Sequence, residues 1–248
     1  MTEYRFTSHG ETDRGCVRSH NEDAFLARDD AGLWVVADGM GGHSNGHLAS
    51  AAIAAELEAL ELTNDFDTDV GLIGAALARV NAAILTLAEQ SNTKIGSTVA
   101  ALYMNQSRYA GLWAGDCRIY RMRERSLIQL TRDHSPVQDL VDRGVIQASE
   151  ARSHPMSHIV SRAIGVDTSV EADLTTGELS PGDVFLLCSD GLTAVATDQD
   201  IITELAAVEG RAARRLVELA LSRGSPDNVT VLTVSCEERT ALQLAGRA

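Results

Sequence analysis

Two stretches in the first third of the chain carry the apolar spacing of amphipathic helices. Within residues 49–62, Ile53, Leu57 and Leu60 recur at intervals of four and three. Within residues 72–87, a wider apolar stripe repeats at the same spacing. Because residues three and four apart share one face of a helix, both patterns predict helices packed on a core. The polar junction between them predicts a turn.

A block of short strand patterns follows the two helices. Each run is rich in Val, Ile or Tyr, and only a few residues separate one run from the next. Short strands this close together are typical of antiparallel neighbours. The runs are 97–104, 108–114, 117–122 and 126–130.

Capping signals predict further helices in the second half. Ser135 fits an N-cap, with Pro136 at the first helical position and Gln138 as its capping-box partner. Thr197 and Asp200 form a similar start. Since strands fall in blocks and helices in pairs, the order favours an α+β fold with antiparallel sheets over alternating βαβ units. The expected ranges are about 197–208 and 211–222 for helices and 229–235 for a last strand.

Apolar runs that meet an aspartate are the main chemical signal. One such aspartate is ordinary turn chemistry, because Asp bonds nearby backbone groups. Several carboxylates at the ends of buried strands repel one another and become favourable together around a cation. Ligands that are all oxygen select Mg²⁺ or Mn²⁺ rather than zinc. Runs 33–37, 109–115 and 184–189 lead into Asp38, Asp116 and Asp190, and Asp227 precedes run 229–234.

Two neighbouring segments extend this hypothesis. The polar segment 18–23 fits a solvated loop when taken alone. With the other acids, its Glu22 and Asp23 can complete a two-metal cluster, and Arg18 can grip a phosphate with two hydrogen bonds. The glycines after Asp38 let the backbone approach a ligand, so a glycine carbonyl could bind metal. No Gly-Lys-Ser/Thr ending follows, which excludes a nucleotide-binding P-loop.

Composition narrows the classes of partner. The chain has 248 residues, which suits one compact domain, and its net charge is −14. An acidic chain binds nucleic acid and anionic lipid poorly, so we expect neither as a partner. The four cysteines form no C-x-x-C pair, and neither a signal peptide nor an apolar run of about 18 residues is recognised. We therefore expect a cytoplasmic protein.

Eight short motifs together resemble the metal-dependent (type 2C, or PPM) serine/threonine protein phosphatases. They occur in family order over nearly the whole chain, and Asp-Gly-Met-Gly-Gly-His is similar to the bacterial branch. The motifs occupy 18–23, 36–43, 96–100, 114–120, 131–135, 161–165, 187–192 and 227–230. The resemblance implies a four-layer αββα sandwich, in which helix pairs flank two central antiparallel sheets. A single domain over 1–240 and a short tail over 241–248 are expected.

The resemblance also implies two bound Mn²⁺ or Mg²⁺ ions per chain and a third, weaker position. Asp38 is expected to bridge the two ions and Asp116 to serve the third. Arg18 matches the phosphate-binding arginine, and Asn228 is expected to orient its neighbour. The remaining expected metal ligands are Glu22, Asp23, the Gly39 carbonyl, Asp190 and Asp227.

The general acid is left open by the resemblance. Animal relatives carry a histidine directly after the Asp-Gly, where this chain has Met40. His43, a metal-bound water or the solvent could protonate the leaving group. His134, His154 and His158 are expected to have structural or flap roles rather than to bind metal, and residues 144–165 resemble the mobile flap of bacterial relatives.

The function implied is hydrolysis of phosphoserine and phosphothreonine on proteins by a hydroxide that bridges the metals. Expected partners are phosphorylated proteins, above all a Ser/Thr kinase or its targets, and the chain is expected to be a monomer. Two alternatives belong to other classes. A catalytically weak pseudophosphatase would bind phosphoproteins, although its expected loss of a metal carboxylate is not seen. The other alternative is a metal-dependent nuclease or nucleotide hydrolase, and the net charge of −14 counts against it.

Overall fold

The computed structural model describes residues 4–41, 45–207 and 210–238, without the side chain of Ser91. In these ranges the strands are β1 Tyr4–Asp13, β2 Asp23–Arg28, β3 Leu33–Gly41, β4 Ile95–Asn105, β5 Arg108–Ala114, β6 Arg118–Arg123, β7 Ser126–Gln129, β8 Asp173–Glu178, β9 Val184–Cys188 and β10 Val229–Glu238. The helices are α1 Gly46–Glu58, α2 Phe66–Ser91, α3 Pro136–Asp142, α4 Ala148–Ala151, α5 Asp190–Thr193, α6 Asp198–Leu205 and α7 Ala212–Ser222.

The strands form two five-stranded sheets in which every pairing is antiparallel. One sheet has the order β1-β10-β9-β6-β7, and the other has the order β2-β3-β4-β5-β8. The first sheet pairs the first strand of the described chain, β1, with the last, β10. The fold is therefore α+β with antiparallel sheets, as the sequence predicted.

Alternating side chains show how the layers stack. Along β3, Trp34 and Val36 pack between the sheets, whereas Leu33 and Val35 pack against α1 and α2. The outer face of the other sheet packs against α5, α6 and α7. Because successive residues of a strand face opposite sides, each sheet is covered on both faces. Three packed cores separate four layers, which confirms the αββα sandwich.

Helix α2 needs a separate explanation because its composition is unusually apolar. By length and mean hydropathy, residues Phe66–Gln90 could cross a membrane, although polar residues interrupt the apolar positions and no unbroken apolar run marks the segment. Its apolar stripe, which includes Ile73, Leu77 and Ile84, packs into the core below the sheet. A long core helix has this composition for packing reasons.

Capping explains where two later helices begin. Ser135 Oγ accepts the Gln138 backbone N–H at 3.1 Å, as predicted, but the Gln138 side chain donates to Asp142 instead of closing a capping box. The full box predicted for Thr197 and Asp200 is present. Helix α6 nevertheless ends at Leu205 rather than near residue 208, which lies outside the described residues.

Several sequence predictions of elements were incomplete. Strands β1, β2 and β8 were missed because they are sheet edges, where one side faces solvent and the apolar pattern is weak. Strands β5 and β6 were expected as neighbours but belong to different sheets, since the turn at 115–117 crosses between them. Strand β3 continues through Asp38 to Gly41 rather than ending at the carboxylate. The predicted tail 241–248 lies outside the described residues, so the domain boundary stays a prediction.

Candidate metal centre

Two carboxylates face each other across neighbouring strands at one end of the sandwich. Asp23 of β2 pairs directly with Asp38 of β3. By strand alternation, Asp23 lies on the same face as Phe25, and Asp38 lies on the same face as Val36. Both aspartates therefore point into the space between the sheets. Like charges directly opposite in a sheet destabilise it unless something compensates for them.

Asp23 is held by hydroxyl groups of the opposite sheet. Its Oδ2 accepts hydrogen bonds from Ser189 Oγ at 2.8 Å and Thr230 Oγ1 at 2.7 Å. Its Oδ1 is buried and has no hydrogen-bond partner. The two hydroxyls thus join the sheets and leave one carboxylate oxygen available. The sequence indicated no role for these hydroxyls, although Thr230 lies on the same face of β10 as the inward-facing Leu232 and Val234.

The other acids come from three separate connections. Asp116 lies in the turn between β5 and β6, Asp190 opens α5 directly after β9, and Asp227 precedes β10. Asp190 Oδ1 is buried without a partner, like the free oxygen of Asp23. Asp227 Oδ1 accepts the backbone N–H of Asn228 at 2.9 Å.

Electrostatics shows that these acids converge. Burial, followed by the charges of Asp23, Asp190, Asp116 and Asp227, raises the pKa of Asp38 well above its ordinary value. Burial is also the main cause that raises the pKa of Asp23 to about 7, of Asp116 to about 8 and of Asp190 to about 6. Carboxylates distant in the chain therefore share one crowded site, as the sequence predicted.

The donor chemistry fits a hard divalent cation. The available groups are carboxylate oxygens, two of them buried and unpartnered, and added positive charge relieves their mutual repulsion. In the described ranges, no three Asp, Glu, His or Cys side chains are close enough to hold one ion by themselves. Mg²⁺ commonly binds through one or two carboxylates and keeps several waters, so a partial protein shell agrees with that ion class.

Glu22 and Gly39 are fixed by helix α1. Glu22 Oε1 accepts the Gly46 N–H at 2.8 Å, and the Glu22 carbonyl accepts from Gly39 N and Ser50 Oγ. A Cβ added at Gly39 would lie 2.3 Å from the Gly46 carbonyl oxygen. The close approach that requires glycine here is thus to the backbone of α1. A metal role for Glu22 or the Gly39 carbonyl stays a prediction.

Arg18 lies at the edge of the cluster and contacts one of its acids. Its Nη2 donates to Asp227 Oδ2 at 2.6 Å, and the Arg18 side chain is 56% exposed. The sequence predicted a phosphate contact for Arg18 and did not anticipate this ion pair. One hydrogen bond uses only part of the guanidinium fork, so donors remain for an anion.

Asn228 acts through both its backbone and its side chain. The backbone N–H bonds to Asp227, which agrees with the expected orienting role. The side chain has a second contact set, because its Oδ1 accepts from Glu22 N and its Nδ2 donates to the carbonyls of Arg14 and His20. Asn228 therefore also clamps the loop that leads to Glu22 and Asp23.

The segment expected to be a flap borders a cavity of about 820 Å³ beside Asp116, Asp190 and Asp227. Residues from α3, α5 and the start of α6 line its other walls. Arg152 fastens α4 to the body by donating to the Ala196 carbonyl at 2.7 Å. His43, the candidate general acid, lies outside the described residues.

Two stacked antiparallel sheets with buried aspartates crowded at one end define a class of metal-dependent phosphatases. The chain belongs to the protein phosphatase 2C family, whose profile matches residues 3–229. The chain is 40% identical to the serine/threonine protein phosphatase PstP of Mycobacterium tuberculosis over 224 residues. That match covers 89% of this chain but 43% of PstP, so the chain spans less than half of that relative.

Shorter relatives and solved structures match over most of their length. The serine/threonine phosphatase stp of Listeria monocytogenes is 35% identical, with 90% of this chain and 93% of the relative covered. A structure of the PstP catalytic domain in complex with two manganese ions is 36% identical, with a TM-score of 0.86 and coverage of 95% of this chain and 100% of that one. Another similar structure is PppA of Pseudomonas aeruginosa, at 37% identity, a TM-score of 0.87 and coverage of 94% and 100%.

Proposed function

We propose that this protein is a metal-dependent protein phosphatase that hydrolyses phosphoserine and phosphothreonine on other proteins. The observation that carries the proposal is the direct pairing of Asp23 with Asp38, both raised in pKa beside further acids. Buried carboxylates this close together destabilise a fold unless a cation compensates for their charge. Family membership and the two manganese ions in the structure of a relative support the same activity.

The aspartates divide the work of holding the ions. Asp38, whose pKa is raised by burial and by four neighbouring acids, would hold metal at the centre of the cluster. Asp190 and Asp227 serve one side, and Asp23 and Glu22 serve the other, together with the carbonyl of Gly39. Bound divalent ions supply Lewis acidity and lower the pKa of a water molecule, so that a nucleophile exists near neutral pH.

Arg18 is proposed to bind the phosphate of the substrate. Its guanidinium is partly exposed, it already lies beside Asp227, and it keeps unused N–H donors. The attraction for a phosphorylated site is then local, despite the net charge of −14. Asn228 keeps the loop between Arg18 and Asp23 in place through its three side-chain hydrogen bonds.

An ion type and a number of ions are also proposed from the oxygen ligands of the site. Mn²⁺ and Mg²⁺ both suit oxygen ligands, and we propose that either supports activity. Asp116, with Asp190, is proposed to hold a third and weaker ion, because charge from Asp190 helps to raise the pKa of Asp116. The general acid is proposed to be His43 or water.

The setting is proposed to be cytoplasmic signal transduction. A Ser/Thr kinase of the same cell, or a target of that kinase, is the proposed substrate, and the phosphatase is proposed to act as a monomer. The packing of the apolar stripe of α2 against the sheet supports a role without membrane insertion. Incubation with an autophosphorylated Ser/Thr kinase, followed by mass spectrometry of the kinase, tests this part. Retention of every phosphate would count against it.

The activity is tested with a phosphothreonine peptide, Mn²⁺ and a chelator. We expect phosphate release by the wild type with Mn²⁺, none with excess chelator, and severe loss in Asp38→Asn. Asp67→Asn is the matched control, because the Asp67 side chain is 79% exposed and lies outside the cluster. Phosphopeptide binding without any Mn²⁺-dependent release by the wild type would favour a pseudophosphatase and overturn the proposal.

A further inference from the structure

His134 connects the turn that carries Asp116 to the segment on the other side of the cavity. It is buried, with 5% of its surface exposed, and it lies between β7 and α3. Its backbone N–H donates to the Gly115 carbonyl at 2.9 Å, and the Gly115 N–H donates back to His134 Nδ1 at 3.0 Å. The residue directly before Asp116 is thus held twice by one histidine.

The turn at Gly115 has little freedom of its own. Gly115 has a φ of +116°, and an added Cβ would lie 2.4 Å from the Thr98 Cβ. Thr98 is the cross-strand partner of Asp38. The turn therefore packs against the strand next to the main acid, and a change in the Gly115 backbone would move Asp116 relative to Asp38.

The hydrogen bonds determine which ring nitrogen of His134 carries the proton. Nδ1 accepts from Gly115, so the neutral ring has its proton on Nε2. Nε2 lies 3.2 Å from Asp173 Oδ2, which can accept that proton's hydrogen bond. Desolvation lowers the pKa of His134, which favours this neutral form near pH 7. Trp113 stacks on the ring with its centroid 6.1 Å away.

The same histidine contacts the segment expected to be the flap. The Ser161 N–H donates to the His134 carbonyl at 2.8 Å. Asp173 also pairs with Arg162, so the partner of the ring is itself tied to that segment. His134 is therefore bonded to the Asp116 turn, to Ser161 and to Asp173 by separate atoms.

We infer that His134 is a positioning residue that sets the Asp116 turn through its Nδ1, and thereby the affinity of the weaker cation position. The inference rests on the proposed function in so far as Asp116 is taken as a metal ligand. It assigns Nδ1 to the turn and Nε2 to Asp173, so the two nitrogens have separable effects. Groups around a metal ligand commonly affect metal affinity through orientation.

Two substitutions separate the nitrogens. In His134→Asn, the amide oxygen can replace Nδ1, and the contact with Asp173 is lost. In His134→Gln, the longer amide can replace Nε2, and the acceptor for Gly115 is lost. Both variants lose the ring that stacks on Trp113, so each controls for the loss of packing in the other.

The first measurement uses the full chain without metal. Long-range ¹H–¹⁵N spectra of the wild type should show the His134 proton on Nε2. Hydrogen exchange of the Gly115 amide should be slow in the wild type and in His134→Asn, and faster in His134→Gln. A proton on Nδ1, or equal Gly115 exchange in the two variants, would overturn the inference.

The second measurement is Mn²⁺ binding, followed by electron paramagnetic resonance of the free ion. The weakest site should lose affinity on the order of tenfold in His134→Gln and less than about twofold in His134→Asn. Equal affinities in the two variants, or a wild type that binds only two ions, would overturn the inference. Neither measurement uses phosphatase activity, so an inactive wild type would count against the proposed function alone.

Discussion

Strand β9 has a carboxylate next to each of its ends, and the two have opposite surroundings. Asp183, directly before the strand, is fully buried, and both of its oxygens accept hydrogen bonds from Arg123 at 2.7 Å. The Ser180 N–H adds a third bond. Asp190, beyond the other end, has a buried oxygen without a partner and acidic neighbours. The protein compensates for the charge of Asp183 with a direct ion pair, whereas Asp190 is only partly compensated by the charges of Arg18 and Arg118 and keeps one buried oxygen without a partner.

This difference separates structural acids from functional ones. A buried carboxylate that serves the fold receives donors from the chain, because an unpaired charge is costly. A buried carboxylate that lacks them lowers the stability of the folded state until a ligand arrives. At the Asp190 end, Asp190 and Asp23 each keep one buried oxygen without a partner. Burial raises the pKa values of these two acids and of Asp38 and Asp116, which reflects the same cost.

The sharpest way to test the contrast is to neutralise the unpartnered acid. Asp190→Asn should reduce Mn²⁺-dependent hydrolysis about 10²- to 10³-fold, the size expected when one electrostatic group of an active site is removed. In the absence of metal, the same variant should melt at a higher temperature than the wild type, because one repelling charge is gone. Phosphopeptide assays and thermal melts in chelator measure the two effects.

The test of Asp190→Asn is specific because it predicts lower activity together with a higher melting temperature without metal. A variant that merely misfolds would lose both activity and stability. Unchanged hydrolysis by Asp190→Asn, or a lower melting temperature without metal, would contradict the division of roles between the ends of β9.

At the Asp183 end of β9, removal of the charged partner should lower stability and leave activity unchanged. Arg123→Met leaves Asp183 buried without its cation and should lower the free energy of unfolding by about 2–3 kcal/mol. We place the value below the range for fully buried pairs, because the Arg123 side chain is 35% exposed. Hydrolysis per folded molecule at low temperature should stay at the wild-type level. Urea unfolding and activity assays measure the two quantities.

The control for this variant is an exposed ion pair. Arg214→Met removes the partner of Glu218 on α7, where both side chains are largely exposed. It should leave unfolding unchanged within error, since such pairs contribute little. Equal destabilisation by the two variants would show that burial of Asp183 is irrelevant to the effect.

The stability of the metal-free wild type should depend on pH because of the acids around Asp190. Burial and mutual repulsion raise the pKa values of Asp190, Asp23 and Asp116 to about 6, 7 and 8. The folded state then binds protons that the unfolded state releases above about pH 4, so stability without metal falls as pH rises from about 4 to 8. Between pH 6 and 8, the melting temperature should fall by at least about 2–4 °C, the change for 1 kcal/mol in a chain of this size.

Added Mn²⁺ should oppose this loss and stabilise the protein more at pH 8 than at pH 6. Cations compete with protons for the same oxygens, so binding strengthens as the carboxylates ionise. Melts at the two pH values, with Mn²⁺ or with chelator, provide the measurement. A metal-free stability that rises over this interval would mean that the acids are already compensated by the chain.

The sequence predicted which acids converge but not how each is held. Asp38, Asp116, Asp190 and Asp227 adjoin apolar runs, so their approach followed from strand patterning and the family motifs. The hydroxyl bonds that turn one oxygen of Asp23 away depend on the meeting of two sheets. Local spacing contains no information about that meeting.

The contacts of Glu22 and Arg18 were missed for the same reason, because local spacing does not show which distant segments meet. Glu22 bonds to the first turn of α1, and Arg18 reaches Asp227 across 209 positions of sequence. Both contacts join segments that are distant in the chain, and each competes with the metal or phosphate role that the motif alone suggests. Fold class was more accessible, because the apolar runs of β3 and β4 and the apolar stripe of α2 are properties of single segments.

A third kind of acid, at the surface, gives the smallest expected effect. Asp200 pairs with Arg223 and accepts hydrogen bonds from the Thr197 hydroxyl and N–H, and these contacts hold its pKa below the ordinary value. A depressed pKa stabilises the fold above about pH 4 and loses that contribution as pH falls, the reverse of the Asp190 end.

Thr197→Ala removes the hydroxyl that caps α6 and should cost about 1 kcal/mol at pH 7, as is typical of an N-cap. Urea unfolding should show nearly the same difference between variant and wild type at pH 7 and at pH 4, because the depressed pKa keeps folded Asp200 ionised at both, and Mn²⁺ affinity at pH 7 should be unchanged. A change in Mn²⁺ affinity would mean that this cap and the metal centre are coupled, and the separation drawn from β9 would fail.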